Sequence, residues 1–435
     1  MSMIVKGKQV IDGKGGTALQ KGAVLIEDGR VKAVGTAEKM QIPPGSEILD
    51  LSGYTLMPGL MDIHMHVAAS NLLSFSNYRV ANMEVSPELR LLYAARHARM
   101  MLQAGFTLVR DAGWPTNLGG QMTRGMVGLR EAIDRGVLPG CRLIIGGTTV
   151  INNSHLDIIL PRYAYRDPAT LADGPWELKK LARMNLRWEV DYLKTCASGG
   201  AGTDRESIQI RNISQEELNA IVDEGHAFGK PTACHCHTPD AIRMALKANA
   251  DTIEHCVYTD QDAIDRLRDS GKYLIPTMAK RSLRSIEARR KVGAPENVTK
   301  KKLLIRPICE ESFKKLHQAG VKLACGTDLS NDPGVGENAY ELELYVEFGM
   351  TPMEAILTAT KNAGEAIGMG NELGTLEPGK LADLIAVDGD PLRDIRILQD
   401  HSKIKVVMKD GVVVVDRRGE TERVLHEMPQ VKMWD

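Results

Sequence analysis

The chain has 435 residues, a formal net charge of −1 and 43% hydrophobic residues, enough for a large core and more than one domain. The balanced charge provides no field for nucleic acid or a membrane surface. Seven scattered cysteines argue against a disulfide framework and for a reducing, cytoplasmic setting.

The N-terminus, Met1-Ser2-Met3-Ile4-Val5-Lys6, lacks a basic region followed by an apolar one, so no signal peptide is expected. No apolar run is long enough to span a bilayer. Residues 1–54 read as short strands with Asp-Gly turns, at Asp12-Gly13 and Asp28-Gly29. The same texture returns at Asp388-Gly389 and Asp410-Gly411, near the other end. Neither segment alone has enough strands for a stable sheet. Together they predict a small β-sandwich domain built from 1–54 and 371–435, with 55–370 inserted between them.

The inserted part alternates apolar strands with helical runs. Eight strands are expected: Leu56–His66, Thr107–Asp111, Arg142–Gly146, Tyr192–Thr195, Pro231–His235, Thr252–His255, Tyr273–Thr277 and Lys322–Asp328. Helices fit between them, one opening at Pro239 behind an N-cap at Thr238. Eight strand–helix repeats predict an α/β, TIM-type (β/α)8 barrel, whose chemistry lies at the C-terminal strand ends.

The first strand runs Pro58-Gly59-Leu60-Met61-Asp62-Ile63-His64-Met65-His66. Alternation puts His64 and His66 on one face, where two imidazoles can converge on one ion. Potential ligands also end later strands: Lys194 the fourth, His235 and His237 the fifth, His255 the sixth and Asp328 the eighth. His155 follows the third. The other histidines, His97, His226, His317, His401 and His426, fall in helical or surface contexts and are read as structural. By spacing, either His235 or His237 could bind metal. Cys234 and Cys236 fall on the opposite face and read as core.

This ordered set resembles the amidohydrolase superfamily of metal-dependent hydrolases, including the imidazolonepropionase-related ones. The resemblance extends to Gly105-Phe106-Thr107-Leu108-Val109-Arg110-Asp111, Ile253-Glu254-His255, Gly326-Thr327-Asp328 and Gly379-Lys380-Leu381-Ala382-Asp383. The Lys194 context, Ser198-Gly199-Gly200 and His235-x-His237 are similar to the prolidase and Xaa-Arg/Lys carboxypeptidase branch. The resemblance implies two zinc ions bridged by an N6-carboxylated Lys194 and a hydroxide. It implies His64, His66, Lys194 and Asp328 on one ion, and Lys194, His235 and His255 on the other. A free lysine, with a pKa of about 10.4, is a poor neighbour for two divalent ions, whereas its carbamate offers an anionic oxygen to each. Lys194 as an ordinary salt-bridging lysine is the bland alternative.

The expected reaction is hydrolysis of an amide C–N bond in a small peptide-like or N-acyl amino acid substrate, possible dipeptidase or carboxypeptidase chemistry. Asp328 would shuttle the proton, and His155 or His237 would donate to the developing oxyanion. His155 is preceded by Ser154 where relatives often carry glycine, and a structural role stays open for it. Alternatives are a carbamate or xenobiotic amide hydrolase on the same site, or a mononuclear deaminase. Relatives commonly assemble, which implies a homo-oligomer. Loops 67–90, 148–176 and 278–302 are the places for selectivity. The last is strongly basic and reads as a solvated helical face, or else supplies an arginine (Arg281, Arg284 or Arg289) for a substrate carboxylate. Ser198-Gly199-Gly200 either brings backbone N–H groups to the substrate or is a turn.

Overall fold

The computed structural model describes residues 2–68, 84–113, 119–158, 162–163, 170–202, 205–291, 293–329, 334–419 and 423–424. Most of the loop after the first strand, most of 159–169, Pro333 and His426 lie outside them.

Seven parallel strands follow one another around the central sheet: Leu60–Met65, Phe106–Asp111, Arg142–Thr148, Tyr192–Cys196, Thr232–Cys236, Thr252–His255 and Tyr273–Ile275. Helices connect them, so the result is a nearly closed, TIM-like barrel. The helix Pro239–Lys247 begins as its sequence requires, with Thr238 Oγ1 accepting from Ala241 N at 3.2 Å. Strand alternation then sorts the side chains. Val109, Leu143, Cys234, Cys236 and Ile253 belong to the core shared with the helices. Ile63, Leu108, Ile275 and Ala324 form a separate apolar cluster. Each fully buried valine, leucine or isoleucine among them contributes about 1.5–3 kcal/mol.

Two expected strands take a different form. Leu56–His66 divides at Gly59, whose close approach to Thr107 (a Cβ would lie 2.3 Å from its Oγ1) separates Glu47–Pro58 from Leu60–Met65. Lys322–Asp328 is not a regular strand. Its backbone nevertheless bridges strands seven and one: Leu274 N donates to Lys322 O (2.9 Å), Ile63 N to Cys325 O (2.9 Å) and Asp328 N to His64 O (2.6 Å). The ladder breaks because Gly326 presses on His64, where a Cβ would come within 2.7 Å of the histidine Cβ. Asp328 then takes a left-handed φ of 55°, outside the extended region.

Strands from both chain ends share a nine-stranded sheet. Glu47–Pro58 joins the halves, pairing in parallel with Ser2–Val10 and antiparallel with Leu384–Val387. The Asp28-Gly29 and Asp410-Gly411 turns both have positive φ at both residues, as two-residue hairpins require. They also touch: a Cβ on Gly411 would lie 2.6 Å from Gly29 Cα. Gly411→Ala should therefore destabilise the protein by about 1–3 kcal/mol. Gly53→Ala, with open space around it and no positive φ, should change stability by less than about 0.5 kcal/mol. Denaturant midpoints of the two variants compare them directly.

Candidate metal centre

The first strand is fixed to the closing segment by a buried carboxylate. Asp62 Oδ1 accepts from His64 N (3.1 Å) and Thr327 N (3.2 Å). Its Oδ2 accepts from Thr327 Oγ1 (2.6 Å) and Asn338 Nδ2 (2.6 Å). Burial pushes the Asp62 carboxyl up to about 6 against these bonds. The clamp aligns His64, His66 and Asp328, whose candidate ligand atoms all lie within 4.8 Å of one another.

Four histidines each have one ring nitrogen engaged by an outer partner. His64 Nδ1 donates to Glu254 Oε2 (2.5 Å), His66 Nδ1 to Gly113 O (2.5 Å) and His235 Nε2 to Gly199 O (3.2 Å). His255 Nδ1 faces Thr277 Oγ1 at 2.8 Å. A carbonyl or carboxylate only accepts, so in the first three the other nitrogen carries the lone pair. Metal-binding histidines are commonly oriented in this way by an outer acceptor. The rings crowd together, with centroids 4.8 Å apart for His64–His255, 4.5 Å for His235–His255 and 4.3 Å for His235–His237. Burial, and next the charge of Lys194, push His64 down to about 4. Burial likewise holds His235, His237 and His255 well below the usual histidine range. These are neutral imidazoles, the form a metal requires.

Lys194 reaches the same cluster from the fourth strand. It is 4% exposed and its Nζ has no hydrogen-bond partner among the described residues. A buried ammonium without a partner is costly, so this amine fits a second component better than it fits the bare protein. Asp328 completes the set, with Oδ1 3.3 Å from His66 Nε2 and 3.9 Å from Lys280 Nζ. Burial alone would raise its carboxyl. The nearby Lys280, with His66 and His64 behind it, outweighs that and keeps it well below the usual carboxylate range. The donor set of neutral imidazoles, one ionised carboxylate and one orphaned amine therefore suits divalent cations.

Backbone strain is concentrated here. His255, Cys256, Thr277 and Asp328 have positive φ values of 78°, 55°, 53° and 55°, uncommon for residues other than glycine and costly for β-branched threonine. At His255 the departure has a direct use. Alternation would send Glu254 and His255 to opposite faces, whereas here both contact His64.

His155 stacks on His235 with centroids 4.7 Å apart, and its Nδ1 bonds Glu206 at 2.8 and 3.0 Å. Gly200 makes room for it, since a Cβ there would lie 2.1 Å from His155 Cε1. The Gly199 and Gly200 N–H groups are not offered to a substrate. They donate to Ile210 O (2.8 Å) and Glu206 Oε2 (3.0 Å). His237 Nε2 lies 3.4 Å from Arg281 Nη2, and its buried Nδ1 has no partner among the described residues.

The basic segment 278–302 is not simply a solvated face. Lys280, Arg281 and Lys302 are buried, and Lys301 Nζ donates to Glu206 O at 2.5 Å. Arg284 is exposed, pairs with Glu337 and lies over the Tyr340 ring. A cavity of about 260 Å³ opens here, with Ala279, Ser282, Arg284, Leu329 and Tyr340 in its wall. The contexts of His97, His226, His317 and His401 agree with structural roles: each bonds a carbonyl or carboxylate outside the cluster.

Sequence reasoning passed over Glu254, Arg110 and Glu206. Glu254 is fully buried and accepts from Arg110 Nη2 (2.8 Å) and Thr252 Oγ1 (2.7 Å) as well as from His64. Its only signal was its place beside His255 in an apolar strand.

A parallel barrel with buried imidazoles and an ionised carboxylate at its C-terminal strand ends defines a class of barrel hydrolases. The chain belongs to the amidohydrolase family, whose pattern matches residues 55–414, and is a hydrolase acting on C–N bonds of that family's prolidase-like branch. It is 29% identical to an ochratoxinase of Aspergillus niger over 423 residues, covering 91% of this chain and 83% of that one. It is 22% identical to an imidazolonepropionase of a Geobacillus species over 433 residues, covering 91% of each. The structure matches that of a Xaa-Pro dipeptidase with bound methionine in the active site, with a TM-score of 0.85 and 30% identity, covering 95% of this chain and 99% of that one. Proteins of the family are generally metal-dependent. Among the described residues no helix is long and apolar enough to cross a membrane.

Because Glu254 sets the His64 ring, Glu254→Gln should lower divalent-metal affinity about 10–100-fold while His64 remains in place. Competition with a chelator, followed by metal analysis of the protein, measures this.

Proposed function

We propose that the protein is a binuclear zinc amidohydrolase that cleaves the amide bond of peptide-like or N-acyl amino acid substrates. One observation carries the reading: ligand atoms of His64, His66 and ionised Asp328 lie within 4.8 Å of one another, in a ring cluster with His255 and His235, and the buried Lys194 amine that acts on His64 and His235 has no hydrogen-bond partner among the described residues. His64, His66 and Asp328 would hold one ion, His235 and His255 the other, and Lys194 as a carbamate would bridge them. The choice of His235 over His237 is supported by its tautomer, which leaves Nδ1 unprotonated. When bound, such a pair supplies a Lewis acid for the scissile carbonyl and acidifies a water.

The protein's own groups then divide the remaining work. Asp328, held ionised, takes the water's proton and passes it to the leaving amine. Arg281 faces His237 Nε2, so the His237 proton sits on Nδ1, where it can donate to the developing oxyanion. His155 gives its Nδ1 proton to Glu206, so its Nε2 accepts unless the ring is protonated. Glu206 thus orients the His155 ring beside His235, and His237 is the neutral donor.

We read residues 1–54 and 371–435 as a small β-sandwich domain flanking the catalytic barrel of 55–370. Its support is a separate apolar cluster that includes Val5, Val24, Leu56, Leu384 and Val406. Seven free cysteines support a reducing compartment.

Hydrolysis of Xaa-Pro, Xaa-Arg, N-acyl amino acid, carbamate and aryl amide panels by zinc-loaded protein tests the activity. Metal analysis should give two ions per chain, and one would favour the deaminase alternative. Asp328→Asn should retain much of the metal and lose turnover by about 10²–10⁴-fold. Near-normal kcat in that variant would discard the proton shuttle.

A further inference from the structure

Two buried side chains three residues apart hold opposite sides of the cluster. Asn338 Nδ2 donates to Asp62 Oδ2 (2.6 Å) in the first strand and lies 3.4 Å from Thr327 Oγ1 in the closing segment. Glu341, one turn further on, accepts from two successive backbone amides: Met278 N at Oε1 and Ala279 N at Oε2, both at 2.6 Å. Those amides open the turn that leaves the seventh strand. Asn338 and Glu341 are fully buried, and Glu341 N donates to Asn338 O (3.1 Å), which joins the pair into one unit.

Each arm holds a side that bears chemistry. Asp62 and Thr327 align His64, His66 and Asp328. The turn Ala279–Arg281 carries Lys280, which is buried with its Nζ 3.9 Å from Asp328 Oδ1. Burial pushes the Glu341 carboxyl up to about 8, so its hold on the turn lies in two acceptor oxygens and not in a charge. Glutamine would keep one acceptor and set its NH2 against the other backbone N–H. A buried N–H that faces a donor is left unsatisfied, and the turn loses its anchor. Lys280 would then move with the turn, whereas Asp328 stays tied to the first strand through Asp328 N and His64 O.

We propose that Glu341, with Asn338 behind it, is a positioning residue that fixes the Lys280 ammonium beside Asp328, and that Lys280 placed there loosens the grip of the cluster on its divalent ions. An ammonium and a metal ion that share one carboxylate repel each other. The distance between them is set by the turn, and the turn by Glu341. This rests on the metal-centre reading above and goes beyond it, because neither Glu341 nor Lys280 belongs to the ligand set.

The test makes two measurements on the full-length protein. The first is acetylation of lysines by acetic anhydride, read residue by residue by mass spectrometry. In Glu341→Gln, Lys280 should react about tenfold faster than in the native protein, while Lys302, buried in the helix Glu296–Gln318, should keep its native rate. Glu341→Asp retains both acceptors on a shorter stem and should fall between the two; it carries the comparison if the glutamine variant does not fold. The second is zinc affinity, measured by competition with a chelator. Lys280→Met should bind zinc about tenfold more tightly than the native protein, and Glu341→Gln should approach that gain, whereas a merely structural role would weaken binding. The double variant should be no tighter than Lys280→Met, because one residue acts through the other. Native protection of Lys280 in Glu341→Gln, an equal rise in Lys302 labelling, zinc binding unchanged or weaker in Lys280→Met, or additive gains in the double variant overturns the proposal. If the native protein binds no zinc, the metal-centre reading fails, and the labelling still decides whether Glu341 positions Lys280.

Discussion

A buried, ionised carboxylate governs the centre of this barrel. Glu254 joins three strands, receiving Arg110 from the second, Thr252 from its own and His64 from the first. Its neighbours keep it charged: burial alone would raise its pKa, but Arg110 and His64 hold it far below the ordinary carboxylate range. Removing one partner of such a buried pair typically costs about 3–5 kcal/mol, because the other charge is stranded. Arg110 is further committed, donating through Nε to Ile63 O at 2.5 Å and lying over the Tyr192 ring. The same contacts that hold the strands in register thus also set the orientation of the His64 imidazole.

The residues of the candidate metal cluster were mostly legible in the sequence. HxH at the end of an apolar strand, a second HxH, a histidine, a lysine and an aspartate recur at strand ends in an order that alternation makes interpretable. The hairpins at Asp28-Gly29 and Asp410-Gly411 were legible for the same reason, since the turn's φ values select the residues, whereas Asp12-Gly13 and Asp388-Gly389 open longer connections with positive φ at the glycine alone. The orientation of the site was less so. Glu254 and His255 are adjacent, and a two-residue period separates them, whereas a left-handed φ reunites them. Glu206 reaches His155 from 51 residues away through a loop with no periodic signal. The burial of Lys280, Arg281 and Lys302 was hidden in a basic run, since composition does not distinguish which of its members turn inward.

The eighth strand shows how local and global demands compete. Lys322–Asp328 has an apolar strand's composition, but Gly326 must pass close to His64, and Asp328 must face the same space as His66. Regular pairing along the whole segment would rotate the carboxylate away. The chain keeps enough hydrogen bonds to join its neighbours and gives up ladder regularity where the aspartate is presented. Departures of this kind are expected at functional positions.

Closure through that segment also bears on how the molecule matures. Asp62 and Thr327 meet across 265 residues, so the two sides of the cluster come from the earliest and the last-wound parts of the barrel. Contacts this distant form late because the intervening loop entropy is paid first. A nascent chain would carry its paired imidazoles long before their aspartate emerges from the ribosome. The cluster is therefore complete only when winding is finished.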